Sequence, residues 1–180
     1  MEDIISLGVG EPDYDTPWNV REAAIRSIEQ GQTAYTSNSG LPELRSLISR
    51  YLFDRFGTDY SPQNEIMITT GASEALDIAI RSVVNPGDEV LYPNPGYPIY
   101  ESQIEFNGGI AVPYGYVEGE DNFRLDFDSI EAAITPMTRL LILNDLQNPM
   151  GAEASPDELT RLAEIVRAHD LKVLLDEAYF

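Results

Sequence analysis

Apolar side chains near the start of the chain recur at helical spacing and predict two helices. Residues 20–28 form the first apolar stripe, which follows Thr16-Pro17, a capping residue with proline at the first helical position. Residues 44–52 form the second stripe. The polar stretch between them cannot bury its backbone in a core, so we expect residues 35–40 to lie at a surface or a site.

Beyond residue 64 the pattern changes to a regular alternation of strand-like and helical stretches. Apolar stretches predict strands at 65–70, 89–92, 110–116, 140–144 and 171–176. Amphipathic stretches predict helices at 73–84, 98–107, 128–134 and 156–169. The strands lack polar and apolar alternation, which is typical of a sheet covered on both faces. We therefore predict an α/β fold of three layers, with a mostly parallel, doubly wound sheet and an N-terminal arm.

The composition is that of an ordinary globular protein. The 180 residues (20.0 kDa) are 43% hydrophobic and 23% charged, with a mean hydropathy of −0.22. This length predicts one domain or slightly more. No apolar run approaches the roughly 18 residues of a membrane span, and the acidic start lacks the basic residues of a secretory signal. We expect no membrane partner and a cytoplasmic location.

Charge and rare residue types exclude several kinds of site. The 11 basic and 31 acidic residues give a net charge of −20, without a basic block that could follow a nucleic-acid backbone. Nucleic acid is therefore not an expected partner. The absence of cysteine and the single histidine exclude thiolate metal sites and HExxH zinc sites, and we expect no metal. That histidine, His169, ends a predicted helix, where a cation interacts favourably with the helix dipole.

Four segments that directly follow predicted strands carry the candidate chemistry. In an open parallel sheet, ligands bind beyond the carboxyl ends of the strands. The segments are residues 71–74, 93–97, 147–151 and 176–179. We expect one crevice at that edge of the sheet to hold all four.

The first two segments offer an anion site and an aromatic face. Gly71 allows a ligand to approach the backbone, and the amides of Ala72 and Ser73 with the Ser73 hydroxyl favour an anion such as phosphate at a helix start. Alternatively, Ser73 only caps its helix. Tyr97 stands in a stiff loop rich in proline and glycine, where it either presents its flat face to a ring or packs over its own loop.

The other two segments carry polar side chains at constrained positions. Asn148 lies in a turn fixed by Pro149 and Gly151, so its amide can point at a ligand oxygen, although most Asn-Pro pairs are simply turns. Asp176 ends an apolar strand, where a carboxylate is costly without a cation or hydrogen-bond donors. A positively charged heterocycle is one such partner, and helix capping or loop bonding is the alternative role.

Several motifs together carry a family resemblance. They are Gly10-Glu11-Pro12-Asp13, Tyr35 with Gly40-Leu41-Pro42-Glu43-Leu44-Arg45, Thr70-Gly71-Ala72-Ser73-Glu74-Ala75-Leu76, Pro95-Gly96-Tyr97, Asn148-Pro149-Met150-Gly151 and Asp176-Glu177-Ala178-Tyr179. In this order and spacing they resemble the class I and II aminotransferases, which are fold-type I enzymes that use pyridoxal 5′-phosphate (PLP). The resemblance runs from about residue 4 to the last residue.

The resemblance implies how the four segments would hold the cofactor. Asp176 would pair with the protonated pyridine nitrogen, and Tyr97 would stack on the ring. Asn148 and Tyr179 would hydrogen-bond the phenolic oxygen of the ring. The helix start at residues 71–73 would hold the phosphate.

The resemblance also implies roles for the N-terminal part and for partners. Gly10 would offer a backbone contact to the carboxylate of the substrate. Tyr35 would reach the cofactor phosphate of the other subunit in a homodimer of the full-length enzyme. The substrates would be an amino acid and a 2-oxo acid, between which the enzyme moves an amino group.

The lysine that forms the Schiff base in this family is expected beyond Phe180. Lys172, the only lysine, stands at the start of the strand that ends at Asp176. At about 3.3 Å per residue the two residues lie about 13 Å apart along the strand, so we assign Lys172 no catalytic role. We expect the N-terminal portion of a longer aminotransferase, inactive alone and without catalytic residues. It would comprise an arm, first helix and loop (1–40) and a partial PLP-binding large domain (41–180), without the C-terminal small domain.

Two alternatives remain open from the sequence. PLP-dependent lyases and synthases of the same fold share these motifs, and the residues that separate them from aminotransferases are expected beyond residue 180. The chain can also be a non-catalytic, truncated module that retains part of the cofactor pocket.

Overall fold

The computed structural model describes residue 8, residue 10 and residues 13–179. Part of the first motif, Glu11 and Pro12, and the acidic start therefore lie outside the described residues. The chain divides into two compact units, Met1–Met67 and Ile68–Phe180. The predicted division at residues 40 and 41 refers to the arm and large domain of the family and stays a prediction.

The described residues form six helices and six strands. The helices are α1 (Trp18–Glu29), α2 (Pro42–Phe56), α3 (Gly71–Val83), α4 (Ile99–Phe106), α5 (Phe127–Ala133) and α6 (Pro156–Ala168). The strands are β1 (Glu89–Pro93), β2 (Ile110–Tyr114), β3 (Tyr116–Glu118), β4 (Phe123–Leu125), β5 (Thr138–Asn144) and β6 (Lys172–Asp176).

The first unit contains the two helices that the N-terminal stripes predict. The start of α1 was predicted one residue too early, because Pro17 has an extended ψ of 140° and stands before the helix without a side-chain cap. α2 ends at Phe56 and is followed by Gly57, the C-cap residue, which has the left-handed φ of 70° that glycine adopts readily. Residues 35–40 are largely exposed, as expected. Within this unit Arg45 is buried, and its Nη1 donates to the carbonyl oxygen of Pro62 at 2.7 Å.

One predicted strand is wrong. Glu65 ends a turn and residues 66–70 have irregular backbone, although most of their side chains are apolar or β-branched. A strand requires a neighbour that completes its ladder of hydrogen bonds, and no described residue pairs with this segment. The local pattern thus predicts an extended segment but does not show whether a neighbouring strand pairs with it.

The second unit is built on a four-stranded sheet in the order β2-β1-β5-β6. All three neighbouring pairs are parallel. The chain leaves β1 toward β2 and later returns to the other side of β1 to form β5. The doubly wound, parallel sheet is therefore confirmed, and its switch point lies between β1 and β5.

Both faces of this sheet are covered, which confirms the three layers. In β5, Leu140 and Ile142 pack in one buried cluster with residues of α3 and α4. Leu141 and Leu143 pack in a second cluster with residues of α5 and α6. Successive strand residues point to opposite faces, so an uninterrupted apolar strand supplies both cores.

A short antiparallel hairpin was missed by the sequence analysis. The predicted strand 110–116 ends instead at Tyr114, and the chain then forms β3, which pairs with β4. The break occurs at Gly115, whose amide donates to Ser129 Oγ at 3.0 Å and whose carbonyl accepts from the Asp126 amide at 3.2 Å. These contacts with the start of α5 replace the sheet ladder, so a single apolar run is divided between two sheets.

Helix α6 has the predicted capping box. The Ser155 hydroxyl accepts from the Glu158 amide at 3.3 Å, and the Glu158 carboxylate accepts from the Ser155 amide at 2.9 Å. At the other end His169 is the C-cap residue, as predicted. Partial burial alone would raise the pKa of Glu158, but hydrogen bonds from Ser155 and from the Leu125 amide outweigh it and lower the pKa.

We expect Ser155→Ala to lower the free energy of unfolding by about 1 kcal/mol at neutral pH. Because the pKa of Glu158 is lowered in the folded state, its contribution is complete above the ordinary value of 4.5 and is lost as the pH falls through the lowered value. The difference between variant and wild type should therefore shrink in acid. Urea denaturation at neutral pH and in steps through the acid range below pH 4.5 measures it, and a difference that stays constant through that range would contradict this assignment.

Candidate functional site

The switch point of the sheet places two predicted segments beside each other. The loop after β1 carries Tyr97 and leads into α4 on one face of the sheet. The loop after β5 carries Asn148 and leads into α6 on the other face. Loops that diverge in this way open a crevice at the carboxyl ends of the strands, which is where ligands bind in such sheets.

A cavity of about 140 Å³ lies at this edge of the sheet. Its lining includes every candidate that the sequence analysis places in the second unit, namely residues 71–73, Tyr97, Asn148, Asp176 and Tyr179. The volume admits on the order of ten water molecules. Four segments from separate parts of the chain thus meet at one site, as predicted. Three of them stand at the carboxyl ends of strands, whereas the start of α3 follows residues 65–70, which form no strand.

Asp176, the last residue of β6, is held in a fixed orientation. The Tyr100 hydroxyl donates to Asp176 Oδ2 at 2.6 Å, and the Ala178 amide donates to Oδ1 at 3.2 Å. Tyr100 is completely buried, and this burial together with the hydrogen bond to Asp176 raises the pKa of Tyr100 above its ordinary value. The phenol therefore stays protonated and acts as a donor. Asp176 bonds its own loop, as one alternative expected, while it also lines the cavity.

Tyr97 contributes an aromatic ring to the cavity wall. The rings of Tyr97 and Tyr100 lie 5.7 Å apart between centroids, with their planes at 86°. This edge-to-face contact joins Tyr97 to the buried cluster under α3 and α4. Tyr97 is therefore a packed side chain that still lines the cavity.

The start of α3 supplies backbone amides. The helix begins at Gly71, two residues earlier than predicted, with a φ of 80° that suits glycine. Ser73 thus lies inside the first turn, so the alternative in which it only caps the helix is wrong. Amides of a first turn have no acceptor within the helix. The Thr70 amide is already bonded to the Glu74 carboxylate.

Buried amide side chains hold the remaining segment. Asn144, at the end of β5, donates to the Asp176 carbonyl at 3.0 Å and accepts from the Asn148 amide at 2.8 Å. Gln147 donates to the carbonyls of Pro95 and Asn148 at 2.6 and 2.8 Å. These contacts fix the main chain of Asn148, whereas Tyr179 is 59% exposed at the rim.

Gly10 and Tyr35 belong to the first unit, and the roles predicted for them stay predictions. Gly10 is exposed, with no atom within 4 Å of the position a Cβ would take. Tyr35 is fully exposed. Lys172 stands opposite Leu140 at the start of β6, at the other end of the strand from Asp176. This position agrees with the prediction that Lys172 has no catalytic role.

Three residues at the site were given no role from the sequence: Tyr100, Asn144 and Gln147. The signal for Asn144 was present, because it is a polar residue that ends an apolar strand. Gln147 begins the candidate segment 147–151, whereas Tyr100 stands in what looks like an ordinary helix. Their importance depends on contacts with distant parts of the chain.

The comparisons with known proteins decide the family. A family model described as "Aminotransferase class I and II" matches residues 2–180. The chain belongs to this family. The resemblance inferred from the motifs is therefore confirmed.

Two aminotransferases of known sequence and one of known structure illustrate the match. The putative aminotransferase YugH of Bacillus subtilis is 49% identical over 179 residues, covering 99% of this chain and 46% of that protein. The probable aspartate aminotransferase of Methanocaldococcus jannaschii is 41% identical, covering 98% of this chain and 46% of that protein. The N-succinyldiaminopimelate aminotransferase structure from Mycobacterium tuberculosis has a TM-score of 0.93 at 39% identity, covering 96% of this chain and 45% of that one.

The chain thus spans a little under half the length of these aminotransferases. The predicted fold class is confirmed by the structural match as well as by the sheet itself. In the part of the chain that the structure describes, no helix has the length and apolar character that crossing a membrane requires. The same residues include no cluster of three or more potential metal ligands among His, Cys, Asp and Glu.

Proposed function

We propose that this chain is the N-terminal portion of a PLP-dependent aminotransferase, which moves an amino group between an amino acid and a 2-oxo acid. One observation carries the proposal. Asp176, oriented by the buried Tyr100 hydroxyl, lines the same cavity as Tyr97, Asn148 and the start of α3. Family membership supplies the reaction class, and the cavity supplies the place for the cofactor.

The donor and acceptor groups of the cavity fit PLP. A carboxylate suits the protonated nitrogen of a pyridine ring, because a hydrogen bond between charged partners is about twice as strong as a neutral one. The amides of a helix start suit a phosphate. The aromatic face of Tyr97 suits a flat ring. The side-chain amide of Asn148 and the hydroxyl of Tyr179 suit a phenolic oxygen.

Each residue would then have a distinct task. Bound PLP supplies a ring that withdraws electrons from the α-carbon of the substrate. Asp176 would keep the proton on the ring nitrogen, and Tyr100 would hold the carboxylate in place for it. Asn148 and Tyr179 would hold the phenolic oxygen, while Tyr97 covers one side of the ring. Ala72 and Ser73 would anchor the phosphate, with Gly71 leaving space for its approach.

The remaining groups of the active site would come from outside the residues that line the cavity. The lysine that attaches the cofactor is expected further along a longer protein, and the 180 residues alone are expected to be inactive. Gly10 would contact the substrate carboxylate. Tyr35 would reach the phosphate bound by the other subunit of a homodimer.

Two relatives are named for different substrates, aspartate and N-succinyldiaminopimelate, so we propose a substrate class and no single amino acid. A cytoplasmic location stays a prediction.

A transamination assay on the full-length protein tests the proposal. The protein is supplied with PLP and 2-oxoglutarate and is offered single L-amino acids. We expect glutamate to form with at least one amino acid, in equal amount to the 2-oxo acid produced from it. Release of ammonia without glutamate would favour a lyase of the same fold. Cofactor binding without any turnover would favour a non-catalytic module.

A further inference from the structure

The loops that carry Tyr97 and Asn148 have no strand pairing to hold them together. The ladder between β1 and β5 ends at the pair Leu91 and Leu141, before either loop begins. Beyond it the loops turn toward helices on opposite faces of the sheet. If both loops are to contact one flat ligand, another contact must set the distance between them.

The side chain of Gln147 makes that contact. Only 2% of the residue is exposed. Its Nε2 donates to the carbonyl oxygen of Pro95, in the first loop, at 2.6 Å. The same nitrogen donates to the Asn148 carbonyl at 2.8 Å, and Oε1 accepts from the Met150 amide at 2.9 Å. One buried amide thus binds both loops, two residues before Tyr97 in one and directly beside Asn148 in the other.

Asn148 is held by its main chain on both sides. Its amide is bonded to Asn144 and its carbonyl to Gln147. Asn144 in turn bonds the carbonyl of Asp176. The Gln147 contact to Pro95 adds the loop of Tyr97 to this connected set. The main-chain segments that carry Asp176, Asn148 and Tyr97 are therefore connected to one another through two buried side-chain amides, those of Asn144 and Gln147.

We propose that Gln147 is a positioning residue, which sets the spacing between the Tyr97 loop and the Asn148 loop and so the width of the slot for the cofactor ring. This inference rests on the proposed function. Gln147 itself touches neither cofactor nor substrate in this role. Its effect on the ring passes through the Pro95 and Asn148 carbonyls that it holds.

Gln147→Met in the full-length protein tests the inference, because methionine has similar length and volume but no hydrogen-bonding amide. We expect PLP to bind about 10-fold more weakly, because the three buried hydrogen bonds that hold the two loops at their spacing are lost. We also expect the visible circular dichroism of bound PLP to change, because that signal depends on how the ring is oriented by its surroundings. Gln147→Asn should give the same result, since shortening by about 1.5 Å moves the amide away from Pro95.

Thr138→Val is the matched control. Thr138 is 3% exposed and stands at the start of β5, at the opposite end of the strand from Asn144. Its hydroxyl accepts from the Thr135 amide at 2.9 Å and donates to Glu89 Oε2 at 3.2 Å. This variant also loses buried hydrogen bonds, so it should lower the melting temperature without changing PLP affinity or circular dichroism.

The outcomes separate this inference from the proposed function. If wild type binds PLP and both Gln147 variants match it in affinity and circular dichroism, the inference is overturned even if their melting temperatures fall. If Gln147→Met does not fold, the Gln147→Asn result decides in the same way. If wild type binds no PLP, the proposed function itself fails.

Discussion

Replacing Asp176 with alanine in the full-length protein is expected to weaken PLP binding by at least about 30-fold. The carboxylate would pair with a protonated ring nitrogen, and truncating one partner of such a hydrogen-bonded charge pair costs about 2–5 kcal/mol. The loss also leaves the buried Tyr100 hydroxyl without its acceptor. Transamination should fall by more than binding, because the neutral ring withdraws electrons less effectively. Equilibrium titration with PLP and a turnover assay at saturating PLP measure the two effects.

The neighbouring carboxylate provides the control for Asp176. Glu177 is exposed and does not line the cavity, so Glu177→Gln removes the same charge one residue further along the chain. We expect this variant to bind PLP as wild type does. Equal losses in both variants would mean that the net charge near the end of β6 matters, rather than a specific contact of Asp176.

The second large effect is expected at the centre of the sheet. Ile142 lies fully buried in β5 and belongs to the cluster beneath α3 and α4. Ile142→Ala should lower the free energy of unfolding by about 2–5 kcal/mol, because it removes apolar contacts and leaves a cavity. Native proteins have total stabilities of only about 5–15 kcal/mol, so this variant is expected to approach the limit of folding. Urea denaturation measures the change.

A surface position on a strand provides the comparison for Ile142. Val117 in β3 is 46% exposed, so Val117→Ala removes two methyl groups without opening a buried cavity. Its expected effect is below about 1 kcal/mol. An effect as large as that of Ile142→Ala would contradict the placement of the core on the faces of the β2-β1-β5-β6 sheet.

The central strands could be predicted because burial on both faces leaves a strong signal in the sequence. In β5 every second side chain enters one core and the others enter the opposite core, so the whole strand is apolar. Residues 65–70 were wrongly predicted as a strand, since strand pairing depends on a neighbour rather than on local composition. The division of residues 110–118 at Gly115 depends on hydrogen bonds with the start of α5, which no local pattern indicates.

The site could be predicted as far as chain position determines it. Asp176 ends β6 and Asn148 lies in the loop after β5, and the carboxyl ends of strands meet at one edge of a parallel sheet. The start of α3 lines the same cavity although no strand precedes it. The roles of Tyr100 and Gln147 could not be predicted, because their partners lie 76 and 52 residues away in the chain. Contacts over such distances appear only when the folded arrangement is known.

The most direct measurement is a crystal structure of the full-length protein with PLP. We expect the cofactor in the cavity between the loops after β1 and β5. Its ring nitrogen should lie within hydrogen-bond distance of the Asp176 carboxylate, and its phosphate should meet the amides of Ala72 and Ser73. A ring nitrogen that faces another group, or PLP bound at a different place, would contradict the assignment of this cavity as the cofactor site.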